Sequence, residues 1–197
     1  MTDTLSNAGS CSWPSNDALM IEYHNLEWGV PLHNDQKLIE YIVLDAFQAG
    51  LSWKTILHRR EGFRKAFDNF DPLIIAQYNE QKIQQLLNNP SIIRNQSKIR
   101  STVTNAIAFL QIQKEFGSFD HFIWQFTNYT TIVNEWHSNK QIPASSKESD
   151  AMSKELKKRG FKFVGTTICY AFMQASGMIN DHLVTCSRYS ECQNVLS

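Results

Sequence analysis

Residues 159–186 read RGFKFVGTTICYAFMQASGMINDHLVTC, and the spacing within this stretch decides the fold. Val164, Ile168 and Phe172, with Ala171 and Ala175 beside them, recur every three to four residues, which predicts a buried helix from about Gly165 to Gly177. Gly177 suits the C-terminal cap, where a left-handed backbone is wanted. Asp181, His182 and Cys186 follow, and the His-x-x-x-Cys spacing sets an imidazole and a thiolate one helical turn apart, where both can reach one ion. Two ligands are half a zinc site. The comparable Cys and His pairing lies at the opposite end of the chain, at Cys11 and His24.

The rest of the composition permits a packed core around that helix. The 197-residue chain is 42% hydrophobic with 12 Phe and 5 Trp, enough to build one ordinary domain. A formal net charge of zero excludes a uniformly basic protein and leaves room for a local basic face. Four irregularly spaced cysteines, Cys11, Cys169, Cys186 and Cys192, make no disulfide framework and suit a reducing compartment with two thiolates on metal. The first ten residues hold neither a positive segment nor an apolar run, and no stretch approaches membrane-spanning length; the expectation is a cytoplasmic protein.

Working outward, residues 1–10 form a leader with nothing to bury, and the domain runs over 11–190, leaving 191–197 as a tail. ALMIEYHNLEWG places Tyr23 and His24 on a short helix or turn that stops at Gly29. Asp35 can cap an amphipathic helix carrying Leu38, Ile39, Ile42, Val43, Ala46 and Phe47, closed at Gly50. Asp45 falls near its C-terminal end, where the helix dipole disfavours a negative charge, so it asks for a partner or a job. Ser52 starts a helix over SWKTILHRREGFRKAF, Asp71-Pro72 starts a short one, and Asn79 caps EQKIQQLL. NNPSIIRNQSKI is a turn before a further helix from about Ser97 through Leu110, so that residues 79–115 form a helical hairpin. Its basic opening, with Arg94, Lys98 and Arg100, suits phosphate held on backbone N–H groups. Ser118 or Asp120 opens another helix, residues 127–143 are polar and without period, and Ser145 to Glu148 has capping-box form before a helix that ends at Gly160. With no strand alternation and no internal repeat, the fold class is all-α.

Cys11, Tyr23-His24, QAGLSW, the hairpin and RGFKFVGTTICYAFMQASG followed by NDH and Cys186 occur in an order that resembles the bacterial DNA-3-methyladenine glycosylase I family, from Cys11 to about Tyr189. The resemblance implies a helix-hairpin-helix DNA glycosylase fold and excision of 3-methyladenine from alkylated double-stranded DNA, with the free base as product. It also implies one structural zinc ion on Cys11, His24, His182 and Cys186, and a monomer. Two thiolates with two imidazoles make a closed tetrahedral site with no open position for water, so the metal should fasten segments more than 150 residues apart and take no part in the chemistry.

For the base, the family's pattern matches Tyr23 and Trp53 as aromatic faces, with Trp13 as a third wall, and Asp45 stands where the family usually has a glutamate that contacts the base. One methylene shorter, it still accepts from an amino group and favours a cation. Methylation at N3 makes adenine cationic and a good leaving group, so recognition of a flipped base supplies much of the catalysis. Gly50 and Leu51 would form a loop whose apolar tip fills the gap in the duplex, Arg94 and Lys98 would hold phosphates, and Lys157, Lys158 and Arg159 would be a solvated helix end or extend that face. No acid occurs from Gln81 to Lys114 and no lysine is placed for a Schiff base, so the expected enzyme is a monofunctional hydrolase. The acid-for-acid change at 45 prompts one alternative, a lesion-binding module of the same fold with weak or no excision. A zinc-stabilised adaptor for another protein would show no lesion-dependent DNA affinity.

Overall fold

The computed structural model describes residues 11–194. Eleven α-helices are placed among them: α1 Ala18–Leu26, α2 Asp35–Gln48, α3 Trp53–Leu57, α4 Arg60–Ala66, α5 Pro72–Ile75, α6 Glu80–Asn88, α7 Gln96–Phe116, α8 Phe119–Trp124, α9 Lys147–Lys158, α10 Thr166–Ala175 and α11 Ser187–Asn194. The all-helical expectation is corrected in one detail. Ile132–Val133 (β1) and Ile179–Asn180 (β2) pair in parallel, Ile132 against Ile179, with Trp136 bridged to Leu183 further on. Two residues per strand give no period to read, which is why the polar stretch 127–143 concealed β1. The leader at 1–10 lies outside the described residues. Residues 191–194, read as tail, continue α11 and bury Cys192.

Helix α2 is the centre of the molecule. Every residue from Leu38 to Phe47 is buried, because α3, α7, α8 and α10 all pack against it. Its amphipathic pattern promised one covered face, and the remaining polar side chains went inside with specific arrangements. Glu40 meets Arg64 at 2.7 Å. Asn34, one residue before the predicted cap, accepts from Lys37 N and closes the N-terminus. Asp35 is thereby free to cap a different helix: its carboxylate accepts from Phe119 N, Asp120 N and Gln113 Nε2, fastening α8 and α7 to α2.

Ser52, Asp71, Asn79 and Ser118 cap their helices as their side chains suggest. The run after Ser52 is two helices, α3 and α4, rather than one, broken at His58–Arg59. The break lets Phe63 and Phe67 turn inward, both edge-on to Phe47, with Phe67 stacked on Phe63 and on Phe70. The capping box before α9 is Ser146 with Ser149, one residue later than Ser145 with Glu148.

Gly177 ends α10 with φ +68°, and its Cα abuts the chain at Val30–Pro31. Gly29 N and Leu32 N donate to Gln174 and Ser176 carbonyls, tying this crossing together. A Cβ at 177 would sit 2.3 Å from Pro31 N and from Val30 C, where only backbone could move. Gly177→Ala should therefore cost at least about 3 kcal/mol, a fall in Tm of roughly 6–12 °C, read by thermal unfolding.

Candidate active site

Between α1, α2, α3 and α10 lies a cavity of about 340 Å³ lined by Trp13, Tyr23, Trp28, Asp45, Gln48, Trp53, Asn139, Ile142, Ala171, Gln174 and Ala175. The three aromatic residues anticipated for a base site meet here. Trp53 lies 5.1 Å from the Tyr23 ring, and Trp13 is edge-on to Tyr23 at 6.3 Å. Trp28 joins them, 5.1 Å from Trp13; its position just before the turn at Gly29 carried no signal in sequence.

Asp45 is only 2% exposed and contributes to this cavity from the last turns of α2. It is not a surface carboxylate with a basic neighbour: among the described residues no cation pairs with it, and its Oδ2 is buried without a hydrogen-bond partner. Burial alone pushes the carboxyl well above the usual carboxylate range. The indole N–H groups of Trp13 and Trp53 are likewise buried and unpartnered. A buried carboxyl without a cation, on the wall of an aromatic cavity, is the arrangement a polar planar ligand would complete.

A second cluster abuts the first. Cys11, His24, His182 and Cys186 are all buried, with their ligand atoms within 4.8 Å of one another. Cys186 Sγ is 3.7 Å from both His24 Nε2 and His182 Nδ1, and Cys11 Sγ is 3.9 Å from His182 Nδ1. The outward nitrogens are also engaged. His24 Nδ1 meets Asn25 Oδ1 at 2.7 Å and His182 Nε2 meets the Trp28 carbonyl at 3.0 Å, which leaves the inner nitrogen of each ring its lone pair. The four residues can hold a metal ion. Trp28 packs on both imidazoles and also lines the cavity, so the two sites share a wall.

Of the residues assigned to DNA, Gly50 has φ +81° and open space about it, and Leu51 stands 41% exposed at the end of the same turn. Arg94 is exposed at the hairpin with no ion pair among the described residues, whereas Arg100 is paired with Glu80. Lys98 is a correction. It is 6% exposed, and its ammonium donates to the carbonyls of Phe47 and Ala49, so it closes the C-terminus of α2 and is not available to a phosphate. Arg159 is held by Glu115 and Glu155 over Phe116 and Phe122, while Lys157 and Lys158 lie on the exposed end of α9.

Sequence reading also passed over Phe163. Its φ of +57° is rare for a bulky residue, its ring is 38% exposed, and the preceding peptide is clamped on both sides by Asn105. No local residue type announces such a conformation; the clamp comes from α7, far away in the chain.

The comparisons agree with this geometry. A family model for methyladenine glycosylase matches residues 13–189. DNA-3-methyladenine glycosylase 1 of Escherichia coli is 48% identical over 179 residues, covering 91% of this chain and 96% of its own. A crystal structure of a 3-methyladenine DNA glycosylase I superposes with a TM-score of 0.88 at 48% identity, covering 90% of this chain and 98% of that one. The Staphylococcus aureus enzyme, solved for the basis of its 3-methyladenine recognition, gives 0.88 at 31% identity, covering 90% and 95%. With nearly its whole length matched in sequence and in fold, the chain belongs to the methyladenine glycosylase family.

Proposed function

We propose that the protein is a base-excision repair glycosylase that hydrolyses the N-glycosidic bond of 3-methyladenine in alkylated double-stranded DNA. The observation that carries this reading is the carboxyl of Asp45, buried without a partner for Oδ2 and lining a cavity walled by Trp13, Tyr23 and Trp53. A neutral ligand would leave an ionised Asp45 uncompensated, whereas the cationic methylated ring neutralises it and lies against the Tyr23 and Trp53 faces. The lesion must leave the stack to arrive there, and Leu51, exposed after the open turn at Gly50, fills the gap. Arg94 holds backbone phosphate at the hairpin.

Water then attacks the sugar as the base departs. Among the described residues no lysine lines the cavity, which suits attack by water with the strand left intact.

The metal would be zinc, held by Cys11, His24, His182 and Cys186. A regular tetrahedral zinc with these ligands has S···N edges of about 3.6 Å, close to the 3.7 and 3.9 Å separations here. With four protein ligands its contribution is to fold stability.

The test is release of free base from methylated duplex DNA, separating 3-methyladenine from 7-methylguanine. Release of 3-methyladenine is expected, and a folded, metal-loaded protein that releases none would leave only lesion binding. Leu51→Ala should lower excision from duplex by about tenfold, roughly the loss of one buried leucine's contact area, while binding of the free base is unchanged. Equal loss in both would remove Leu51 from the DNA face.

A further inference from the structure

Asp181 precedes the metal-group residue His182 and is wholly buried. Its Oδ1 accepts from Asn134 Nδ2 and from the Trp136 indole, both at 2.7 Å. Its Oδ2 accepts from the Tyr170 hydroxyl at 2.7 Å and from Gln174 Nε2 at 2.8 Å. This carboxylate ties three segments together: the loop after β1, α10 at Tyr170 and Gln174, and the turn that carries His182.

The same arrangement settles which way the Gln174 amide points. A carboxylate oxygen that already receives a hydroxyl offers only lone pairs, so Gln174 must present its nitrogen to it. Its carbonyl oxygen accepts no hydrogen bond among the described residues and is not among the buried unpartnered atoms, so it is left open to the cavity that Gln174 lines. With Asp45 ionised, the cavity thus holds two acceptors contributed by α10 and α2: Gln174 Oε1 and Asp45 Oδ1, which likewise has no partner among the described residues and is absent from the buried unpartnered atoms.

We infer that Gln174 reads the exocyclic amino group at position 6 of the flipped base, and that Asp181 is the positioning residue that holds the Gln174 carbonyl toward it. The inference rests on the base-excision reading above. An amino group at that position has two hydrogens to give, one for each acceptor. A 6-oxo purine presents lone pairs there and meets two acceptors head on, with no rotation of Gln174 available to relieve it while Asp181 holds the nitrogen. Selectivity for amino over oxo at position 6 therefore originates beside the metal group, in a residue that touches no ion and no base.

Free 3-methyladenine and 3-methylhypoxanthine differ in the substituent at position 6, amino against oxo, and in the ring proton that accompanies it, and quenching of tryptophan fluorescence reads their binding to the full, metal-loaded chain. The parent should prefer 3-methyladenine. In Gln174→Met, which keeps the length and removes the acceptor, affinity for 3-methyladenine should fall about tenfold, the worth of one buried hydrogen bond, while 3-methylhypoxanthine binds as well as before or better. Gln174→Leu serves if the methionine variant melts early. Asp181→Asn gives Gln174 a donor to face, frees its amide to turn, and should shift preference toward the oxo base. Loss of affinity for both bases in equal measure would assign Gln174 a packing role and overturn the inference, as would an unchanged preference. A parent that binds neither base would sink the base-excision reading with it; a parent that binds and excises, alongside Gln174 variants with undiminished preference, would sink the inference alone.

Discussion

Asp45→Asn is expected to lower kcat/KM for 3-methyladenine release by about 10²-fold or more, while leaving the folded chain more stable near neutral pH. Both effects follow from one burial. The carboxyl is taken out of water with no protein partner for Oδ2, so the empty cavity holds an acid whose ionisation is opposed. Asparagine keeps the shape, cannot ionise, and removes that cost; a gain of about 1 kcal/mol corresponds to roughly 2–4 °C in Tm. The cationic base is what compensates the charge, and asparagine cannot neutralise it.

The pH dependence separates the two roles. Below the usual carboxylate range the folded and unfolded chains both hold the proton, and burial of Asp45 costs the least. As pH rises the unfolded chain releases its proton first, so stability declines until the pH passes the raised value in the folded state, and then levels. Binding the cation needs the ionised form, so kcat/KM should climb across the window in which stability falls. In Asp45→Asn the contribution of this carboxyl to both slopes should vanish, leaving the stability slope that the paired carboxylates such as Asp17 and Glu27 supply. Melting temperature and single-turnover excision measured over the same pH series check this. A parent whose excision falls with pH across that window would show that Asp45 acts as an acid.

Removal of the metal proposed for the Cys11, His24, His182 and Cys186 group should have the next largest effect, on folding. Cys11 and Cys186 are 175 residues apart, and linking them removes loop-closure freedom from the unfolded chain worth about 5 kcal/mol by the treatment used for a disulfide. Cys186→Ser or His24→Ala should therefore lower Tm by roughly 10–20 °C, and a strong chelator should do the same to the parent during partial unfolding. The aromatic wall shared through Trp28 predicts that excision fails at temperatures where the rest of the chain is still helical by circular dichroism. A chelated protein with unchanged Tm and metal content of zero would remove the fastening role.

Local features of this chain were readable because their causes are local. Ser52, Asp71, Asn79 and Ser118 each bond a backbone N–H two or three residues on, a relation written in neighbouring letters. The helix at 166–175 was evident from a three-to-four residue period, and the pairing of His182 with Cys186 from a single turn. Order along the chain, set beside the family's pattern, then brought Cys11 and His24 to the same group and Trp13, Tyr23, Asp45 and Trp53 to one cavity, where the fold indeed gathers them.

What spacing did not contain was the covering of each face. Helix α2 has one apolar stripe in sequence, yet four helices surround it, and only that enclosure turns Asp45 from a misplaced surface acid into a desolvated one. The same enclosure draws Lys98 inward to the α2 carbonyls, 49 residues away in the chain, where a basic letter at a hairpin had suggested phosphate. Asp35 caps a helix 84 residues on, β1 and β2 pair across 47 residues, and Gln174 takes its orientation from Asp181. The sequence by itself determined where helices start and stop and which residue types could serve metal and base. Tertiary structure alone decided which polar groups lost their water, because desolvation depends on what arrives from distant segments and no local pattern records it.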